Sequence, residues 1–263
     1  VAEEQGGPET FCISMAENDP EFLKNNRSMP TLTWNGHSTL LLQFEGLNIL
    51  TDPHLTRRAS PVSFAGPERF MKPGISIEDL PHVDLIEISH NHYDHLDRLT
   101  LEKIHQKQKG QSPRIFVPLK QKGWFDDIEI TNVVEMDWWE EQEYLEWKIH
   151  AVPVQHWSGR STWDRNQALL AGWVLEHPKL HFFFAGDTGY SKDFIDLGNK
   201  IEGIDLAAIP IGAFSPRWFM KQKHINPEEA VKIHQDIDSH YSVAIHWGTF
   251  MLTDELVDEP PNY

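Results

Sequence analysis

The chain has 263 residues, of which 40% are hydrophobic and 24% charged, and it carries a formal net charge of -17 at pH 7. Its length allows one large globular domain or two small ones, and its 14 Phe, 10 Trp and 5 Tyr exclude a disordered chain. The acidic balance argues against a nucleic-acid partner and against purely electrostatic docking on anionic lipid, and the single cysteine, Cys12, excludes an intrachain disulfide and a cysteine-rich zinc site.

The first 30 residues are polar and weakly periodic, so we predict an amino-terminal arm at residues 1–30 and a single domain at residues 31–263. From Thr31 onward, short runs typical of strands follow one another. These runs are TLTW, STLLLQF, LNILTD, VDLIEIS, RIFVP, TNVVEM, EWKIHAVPV, ALLAGWVLEH, LHFFFAG, IDLAAIPI and YSVAIHW. Several are nearly continuous in apolar residues, which indicates strands that are covered on both faces.

Two helices are predicted between these strands. The first runs over residues 99–109 and ends at Gly110. In the second, Asn226 is a good N-cap residue, Pro227 takes the first helical position and Glu229 the third. Sheets with helices outside them indicate an α/β fold. Because no apolar run approaches the roughly 20 residues that span a bilayer, we expect no transmembrane segment; a cytoplasmic location is favoured, with processed export left open.

Side chains of metal-ligand type crowd into the stretch SHNHYDHLD, directly after the predicted strand VDLIEIS. His90, His92, Asp94 and His95 lie within six residues, so a loop turning there can direct all four into one cleft. Imidazoles and carboxylates are ligands of zinc, manganese and ferrous iron. One tetrahedral ion is hard to surround with four side chains from six consecutive residues, so the spacing favours two metals with further ligands from elsewhere.

Three more residues of this type stand where predicted strands end. His156 follows AVPVQ, Asp187 follows FFFAG and His246 follows VAI. Gly186 and Gly189 give the backbone around Asp187 room to turn. A solvated loop that contained HNHYDH by chance would not be followed by three such residues at strand ends. We therefore predict a binuclear metal site.

This ordered pattern, H-x-H-x-D-H followed by distant His, Asp and His, resembles the metallo-β-lactamase-fold hydrolase superfamily. Within it, the chain is similar to the group of phospholipases D that hydrolyse N-acylphosphatidylethanolamine. The similar segments extend from about residue 32 to residue 261 and include TWNGHSTLLLQ, LTDP, RASPVSFAGPERF, SHNHYDHLD, DWWEE, QHW, FFFAGDTGY, DLAAIPIGAF, PRWFMK, NPEEAVKIH and AIHWGTF. Two departures from the mammalian phospholipase are a shorter amino-terminal arm and an end at EPPNY, where we expect a further tail.

The resemblance implies an αββα sandwich with two Zn²⁺ at one edge of the paired sheets; manganese and ferrous iron are open alternatives. By the family's pattern, seven side chains hold the ions, and they are His90, His92 and His156 on the first, Asp94, His95 and His246 on the second, and Asp187 on both. Asp94 and Asp187 are also catalytic residues in this interpretation.

Three further residues have competing interpretations. At the position of His224, the phospholipases that the chain resembles carry a histidine near the substrate, and the resemblance implies that His224 contacts the phosphate or assists the leaving group. The alternative is that His224 is a solvated loop histidine. The resemblance suggests that Asp52 and His37 orient the ligand histidines. From the neighbouring sequence alone, Asp52 could instead form a turn before Pro53, and His37 could be a packed residue without a role in the site. The aromatic runs at residues 137–139 and 217–220 would line an acyl groove or pack in the core.

The function implied is that of a di-zinc hydrolase whose metal-bridging hydroxide attacks a phosphodiester. The substrate would be N-acylphosphatidylethanolamine, and the products an N-acylethanolamine and phosphatidic acid. Two alternatives stay open: hydrolysis at an acyl carbon, as in lactonases and β-lactamases, and a metal-loaded binding protein without turnover. The expected partner is a phospholipid or a lipid-like small molecule, with peripheral membrane contact and a homodimer both compatible with the resemblance.

Overall fold

Two sheets form the centre of the fold in the computed structural model, which describes residue 13 and residues 15–263. Cys12 and the other residues at the start of the predicted arm lie outside the described residues. In the described part of the chain, twelve strands lie in two sheets of six. The first sheet contains, side by side, β1 (Thr31–Trp34), β2 (Leu40–Phe44), β3 (Leu47–Thr51), β4 (Leu85–Glu87), β5 (Arg114–Pro118) and β6 (Val133–Met136). The second contains β7 (Glu141–Tyr144), β8 (Trp147–Val152), β9 (Gly172–His177), β10 (Leu180–Phe184), β11 (Leu206–Pro210) and β12 (Tyr241–Ile245).

The helices are short and lie between or outside the strands. They are α1 (Pro20–Asn25), α2 (Arg98–Lys107), α3 (Lys122–Asp126), α4 (Asp193–Lys200), α5 (Arg217–Met220) and α6 (Pro227–Asp236), with a 3-10 helix at Pro260–Asn262. The capping box predicted for α6 is present, because the Asn226 side chain accepts a hydrogen bond from the Glu229 backbone N–H at 3.0 Å. None of the helices in residues 15–263 is long and apolar enough to cross a membrane.

Three apolar layers hold the sheets and helices together and give the αββα sandwich that the resemblance implied. Between the sheets, Phe116 and Trp173 pack edge to face with ring centres 6.3 Å apart. On the outer side of the first sheet, Ile86 of β4 and Leu101 of α2 share one buried cluster. On the outer side of the second sheet, Ile233 of α6 belongs to another. Each buried side chain of this size stabilises the fold by about 1.5–3 kcal/mol.

The strand directions decide where the functional residues meet. Strands β3, β4, β5 and β6 are mutually parallel, as are β10, β11 and β12, while the other neighbours are antiparallel. Parallel neighbours end at the same edge of a sheet, so the loops after β3 and β4 lie together, as do the loops after β10 and β12. The two sets of loops face each other at one edge of the sandwich.

Two parts of the structure differ from the simple strand pattern in the sequence. Strand β7 has the polar sequence EQEY and lies at the edge of the second sheet, mostly exposed, so no apolar run marks it. Helix α1 lies inside the predicted arm; its Leu23 is buried, and the Gln43 side chain of β2 donates a hydrogen bond to the Leu23 carbonyl at 2.8 Å. These contacts attach residues 20–25 to the first sheet.

Candidate metal centre

The loops at this edge bring all seven predicted ligand residues together. His90, His92, Asp94 and His95 follow β4; His156 follows β8; Asp187 follows β10; His246 follows β12. Gly186 is needed for this convergence, because its φ is +61° and a Cβ there would lie 2.5 Å from the Ser89 Cβ. The glycine therefore lets the loop after β10 pass directly beside the loop that carries His90.

Three imidazole nitrogens and one carboxylate oxygen form the first group of ligand atoms. His90 Nε2 lies 2.8 Å from His92 Nδ1, and His92 Nδ1 lies 3.3 Å from His156 Nε2. Asp187 Oδ2 is 3.7 Å from His156 Nε2 and 3.9 Å from His90 Nε2. Nitrogens that bind one tetrahedral zinc ion at about 2.0–2.1 Å lie roughly 3.3 Å apart, so this group has the dimensions of a zinc site.

A second group lies beside the first and shares Asp187 with it. Asp94 Oδ2 is 3.3 Å from His95 Nε2 and 3.5 Å from His246 Nε2. Asp187 reaches the same two rings, with Oδ2 3.2 Å from His95 Nε2 and Oδ1 3.0 Å from His246 Nε2. The carboxylate of Asp187 therefore lies between the two groups, which is the position that a bridging ligand requires.

Burial keeps all three imidazoles of the first group in the neutral form that binds metals. It lowers the pKa of His92 to about 4 and that of His156 to about 3, and it holds the pKa of His90 well below its ordinary value. In the second group burial acts in the same direction, but the carboxylates outweigh it. The pKa of His246 is raised to about 9, chiefly by Asp187, and the pKa of His95 is well above its ordinary value.

The polar atoms at the centre of the cluster lack the hydrogen bonds that buried groups normally make. His95 Nε2, His246 Nε2 and Asp187 Oδ1 are all buried and none makes a hydrogen bond of good geometry with the described residues. The pKa of Asp187 stays well below its ordinary value because His246 and His95 outweigh the effect of burial. Two anionic carboxylates, converging nitrogens and unsatisfied ligand atoms fit a pair of divalent metal ions.

Asp52 holds one ligand histidine in place. Its Oδ1 accepts a hydrogen bond from the Ser89 backbone N–H at 2.7 Å, and its Oδ2 accepts one from the Ser89 hydroxyl at 2.5 Å. The same Oδ2 lies 2.6 Å from His95 Nδ1, which leaves His95 Nε2 directed at the cluster. His156 is held in a comparable way, because its Nδ1 lies 2.8 Å from the Lys223 carbonyl oxygen. Such contacts fix which ring nitrogen faces a metal.

His37 contacts a carboxylate rather than a ligand nitrogen. Its Nε2 lies 2.8 Å from Asp94 Oδ2, and its backbone N–H donates to the Thr249 hydroxyl at 2.6 Å. Its ring also packs against His246, with ring centres 4.0 Å apart. Burial is the main reason that the pKa of His37 lies well below its ordinary value. A neutral His37 can donate one hydrogen bond to Asp94 and so orient that ligand.

His224 lies inside the site and is not a solvated loop residue. It is only 8% exposed, its ring packs against His156 with centres 4.8 Å apart, and its Nδ1 lies 3.9 Å from Asp187 Oδ2. This Nδ1 makes no hydrogen bond with the described residues, and burial keeps the pKa of the ring well below its ordinary value. His224 is therefore a neutral imidazole with one free nitrogen beside the cluster.

A cleft of about 340 Å³ opens above the cluster. Its floor contains His92, Asp94 and Asp187, and its walls include His224, Trp157, Arg165, Phe219, Met220 and Lys223. Phe219 and Met220 belong to the aromatic run at residues 217–220, whereas residues 137–139 are not among those that line this cleft. The interpretation of the sequence missed Trp157, Lys223 and Arg165. Trp157 and Lys223 are sequence neighbours of His156 and His224, and that adjacency was the available signal.

Comparison with known protein families gives a match over most of the chain. A model described as the Beta-lactamase superfamily domain matches residues 47–247. A solved structure, described as a possible metal-dependent hydrolase from Veillonella parvula DSM 2008, superposes with a TM-score of 0.65 at 17% sequence identity and covers 84% of this chain and 87% of that one. The likeness to that structure concerns the fold.

Two curated relatives are more similar in sequence. N-acyl-phosphatidylethanolamine-hydrolyzing phospholipase D 1 of Caenorhabditis elegans is 42% identical over 241 residues, which cover 87% of this chain and 67% of the relative. The mitochondrial N-acyl-phosphatidylethanolamine-hydrolyzing phospholipase D of Saccharomyces cerevisiae is 38% identical over 237 residues, which cover 87% of this chain and 49% of the relative. The chain thus spans about two thirds of the length of the worm protein and about half of the length of the yeast protein.

Proposed function

The chain belongs to the beta-lactamase superfamily and is a metal-dependent hydrolase, and from this premise we propose that it is a di-zinc phosphodiesterase of the phospholipase D type. The proposed reaction is the hydrolysis of N-acylphosphatidylethanolamine to an N-acylethanolamine and phosphatidic acid. The observation that carries the proposal is the position of Asp187 between two groups of imidazole and carboxylate ligands. The sequence similarity to the worm and yeast phospholipases supports the choice of substrate.

In this proposal His90, His92 and His156 would hold one zinc ion and Asp94, His95 and His246 the other, with Asp187 available to both groups. When bound, zinc lowers the pKa of water and offsets the negative charge that develops on the phosphorus oxygens. Asp52 and His37 keep His95 and Asp94 in their orientations through the contacts described above.

His224 acts on the substrate in this proposal rather than on a metal. Its burial keeps the ring neutral, and a neutral imidazole is a good hydrogen-bond donor but a poor acid. We therefore assign it a hydrogen bond to a phosphoryl oxygen, and not delivery of a proton to the leaving alkoxide. The imidazole of His224 lines the cleft beside Asp187, and we assign this contact to the ring.

The cleft walls suit a lipid-like substrate. Phe219, Met220 and Trp157 present apolar surface next to the ligand residues, and such surface binds the hydrocarbon part of a substrate and excludes water. Phe219 is 55% exposed, so the cleft is open to molecules larger than its own volume. An amphiphile with its phosphate inside the cleft, over the ligand residues, and its chains along the apolar wall fits this arrangement.

The test combines metal content with turnover. Zinc-loaded protein is analysed by mass spectrometry and assayed with N-acylphosphatidylethanolamine, bis(p-nitrophenyl) phosphate and an acyl homoserine lactone, beside the variants Asp187→Asn and Asp258→Asn. Asp258 is exposed, so its variant is a control for the substitution itself. We expect about two zinc ions per chain and release of N-acylethanolamine that Asp187→Asn abolishes.

Two other results would change the conclusion. Two zinc ions with opening of the lactone alone would keep the metal centre and replace the substrate by an acyl compound. Less than one metal ion per chain after full loading would contradict the metal centre itself.

A further inference from the structure

Two cations lie at the mouth of the cleft on the faces of aromatic rings. Lys223 Nζ is 5.7 Å from the ring centre of Trp157 and 5.0 Å from that of Phe219. The Arg165 guanidinium carbon lies 5.1 Å from the ring centre of Trp157. All four residues line the same cleft as the ligands Asp94 and Asp187. Trp157 is thus the common support for both positive charges.

Neither cation is neutralised by an acidic side chain. Among residues 15–263, no carboxylate lies within ion-pair distance of Lys223 or Arg165, although the chain has 40 acidic residues against 23 basic ones. Other basic residues do have such partners: Arg217 lies 2.6 Å from Glu229, and Lys179 lies 2.9 Å from Glu45. An aromatic face attracts a cation without cancelling its charge, so both charges stay available to a ligand.

The backbone fixes these cations relative to the metal ligands. The Lys223 carbonyl accepts a hydrogen bond from His156 Nδ1, and Lys223 directly precedes His224. Trp157 directly follows His156, and its ring lies edge to face with His92 at 4.1 Å. The loop of Arg165 folds back onto the same segment, because the Asn166 N–H donates to the Ser158 carbonyl at 2.8 Å. The segments that carry both cations are therefore attached to the segments that carry the ligand residues.

We propose that Lys223 and Arg165, supported by Trp157, form an oxyanion subsite that binds the phosphoryl oxygens of the substrate at the mouth of the cleft. The subsite selects phosphodiesters, which carry a negative charge, and phosphomonoester products over neutral esters and lactones. It offsets locally the repulsion that a chain with a net charge of -17 exerts on an anion. The proposal rests on the proposed phosphodiesterase function and adds the residues that decide its charge preference.

The test uses kinetics and binding on zinc-loaded protein. The variants are Lys223→Gln, Arg165→Gln and the double variant, with Lys221→Gln as the matched control, since Lys221 is exposed and does not line the cleft. The KM and kcat for bis(p-nitrophenyl) phosphate and the Ki of inorganic phosphate are measured at several salt concentrations. Metal content of each variant shows whether the centre is intact.

We expect each single substitution to raise KM and the phosphate Ki by about threefold to tenfold, with the double variant raising them further and kcat changing less than about twofold. The wild-type KM should rise with salt, because exposed charges are screened over about 8–10 Å, and the double variant should lose most of that dependence. Wild-type values of KM and Ki in the double variant, or equal effects of Lys221→Gln, would overturn the proposal.

The failure of the proposed function would look different. In that case the wild-type protein itself hydrolyses no phosphodiester, whatever residue stands at position 223. The existence of the subsite is then tested by calorimetric titration of inorganic phosphate into the zinc-loaded wild type and into the zinc-loaded double variant. Weaker binding by the double variant supports the subsite, and equal dissociation constants overturn it.

Discussion

The Oδ2 atom of Asp52 lies 2.6 Å from the Nδ1 atom of His95, and both side chains are completely buried. The two residues are 43 positions apart in the chain and belong to loops that follow neighbouring parallel strands, β3 and β4. Through this contact the ring of His95 has only its Nε2 free for the ligand cluster. The site therefore depends on a residue that touches no proposed metal.

Asp52→Asn should weaken metal binding without removing a ligand. An amide cannot accept hydrogen bonds at both of its ends, so it cannot satisfy Ser89 and His95 together. We expect the affinity for the second zinc ion to fall by about 10- to 100-fold, measured by competition with a chromophoric chelator. Asp258→Asn is the control, and an unchanged affinity in Asp52→Asn would show that the contact does not support the centre.

His246→Ala should lower the metal content from about two ions per chain to about one. It removes a proposed ligand of the second group, while His90, His92 and His156 remain. Mass spectrometry of the purified variant checks this, with His240→Ala as the control because His240 is exposed beside the opposite end of β12. Two ions in His246→Ala would contradict the assignment of His246 as a ligand.

In contrast, His37→Gln should keep two ions per chain. Loss of one ion in this variant would make His37 a ligand.

His224→Gln should separate a contact with the substrate from metal binding. We expect kcat for bis(p-nitrophenyl) phosphate to fall by about 100-fold, as for the loss of one hydrogen-bond donor to a developing charge, while the metal content stays at the wild-type value. The reason is that His224 lines the cleft beside the ligand residues, with its Nδ1 3.9 Å from Asp187 Oδ2. His240→Gln is the matched control. A loss of metal in His224→Gln would instead place this residue among the ligands.

Glu87 should make the stability of the fold depend on pH. Its carboxylate is completely buried in β4, neither oxygen has a hydrogen-bond partner among the described residues, and burial raises its pKa well above the ordinary value. The folded chain therefore holds a proton on Glu87 that the unfolded chain has released above about pH 4.5. The free energy of unfolding loses up to about 1.4 kcal/mol per pH unit from this residue as pH rises toward the folded pKa.

Glu87→Gln removes that proton uptake, so the difference in unfolding free energy between the variant and the wild type should shift in favour of the variant as pH rises from 5 toward the raised pKa of Glu87 in the folded protein. Urea denaturation of both zinc-loaded proteins over this range measures the difference, and the exposed Glu78→Gln is the control. A difference between wild type and Glu87→Gln that stays constant with pH would mean that Glu87 is ionised in the folded protein.

Much of the fold could be predicted because its signals are local. A nearly continuous apolar run such as LHFFFAG is stable in a strand only when both faces of the strand are covered. In the structure Phe182 and Phe184 are buried between the two sheets, and Phe183 is buried on the outer side of the second sheet. The capping residues of α6 likewise lie within four positions of each other. Strand β7 could not be predicted in this way, because an exposed edge strand is held by main-chain hydrogen bonds to β8 and needs no apolar pattern.

The sequence by itself determined which residue types stand at the strand ends, and so it identified the seven ligand candidates. The resemblance of its motifs to a known family implied the αββα sandwich. Only the tertiary structure decided what each of these side chains contacts. It directed His37 to the carboxylate of Asp94, buried His224 beside Asp187, and brought Arg165 and Lys223 to one tryptophan. The physical reason is the range over which each signal acts. Strand and cap signals act over a few residues, whereas the His37–Asp94 and Lys223–Trp157 contacts join residues 57 and 66 positions apart and depend on how the packed sheets place their loops.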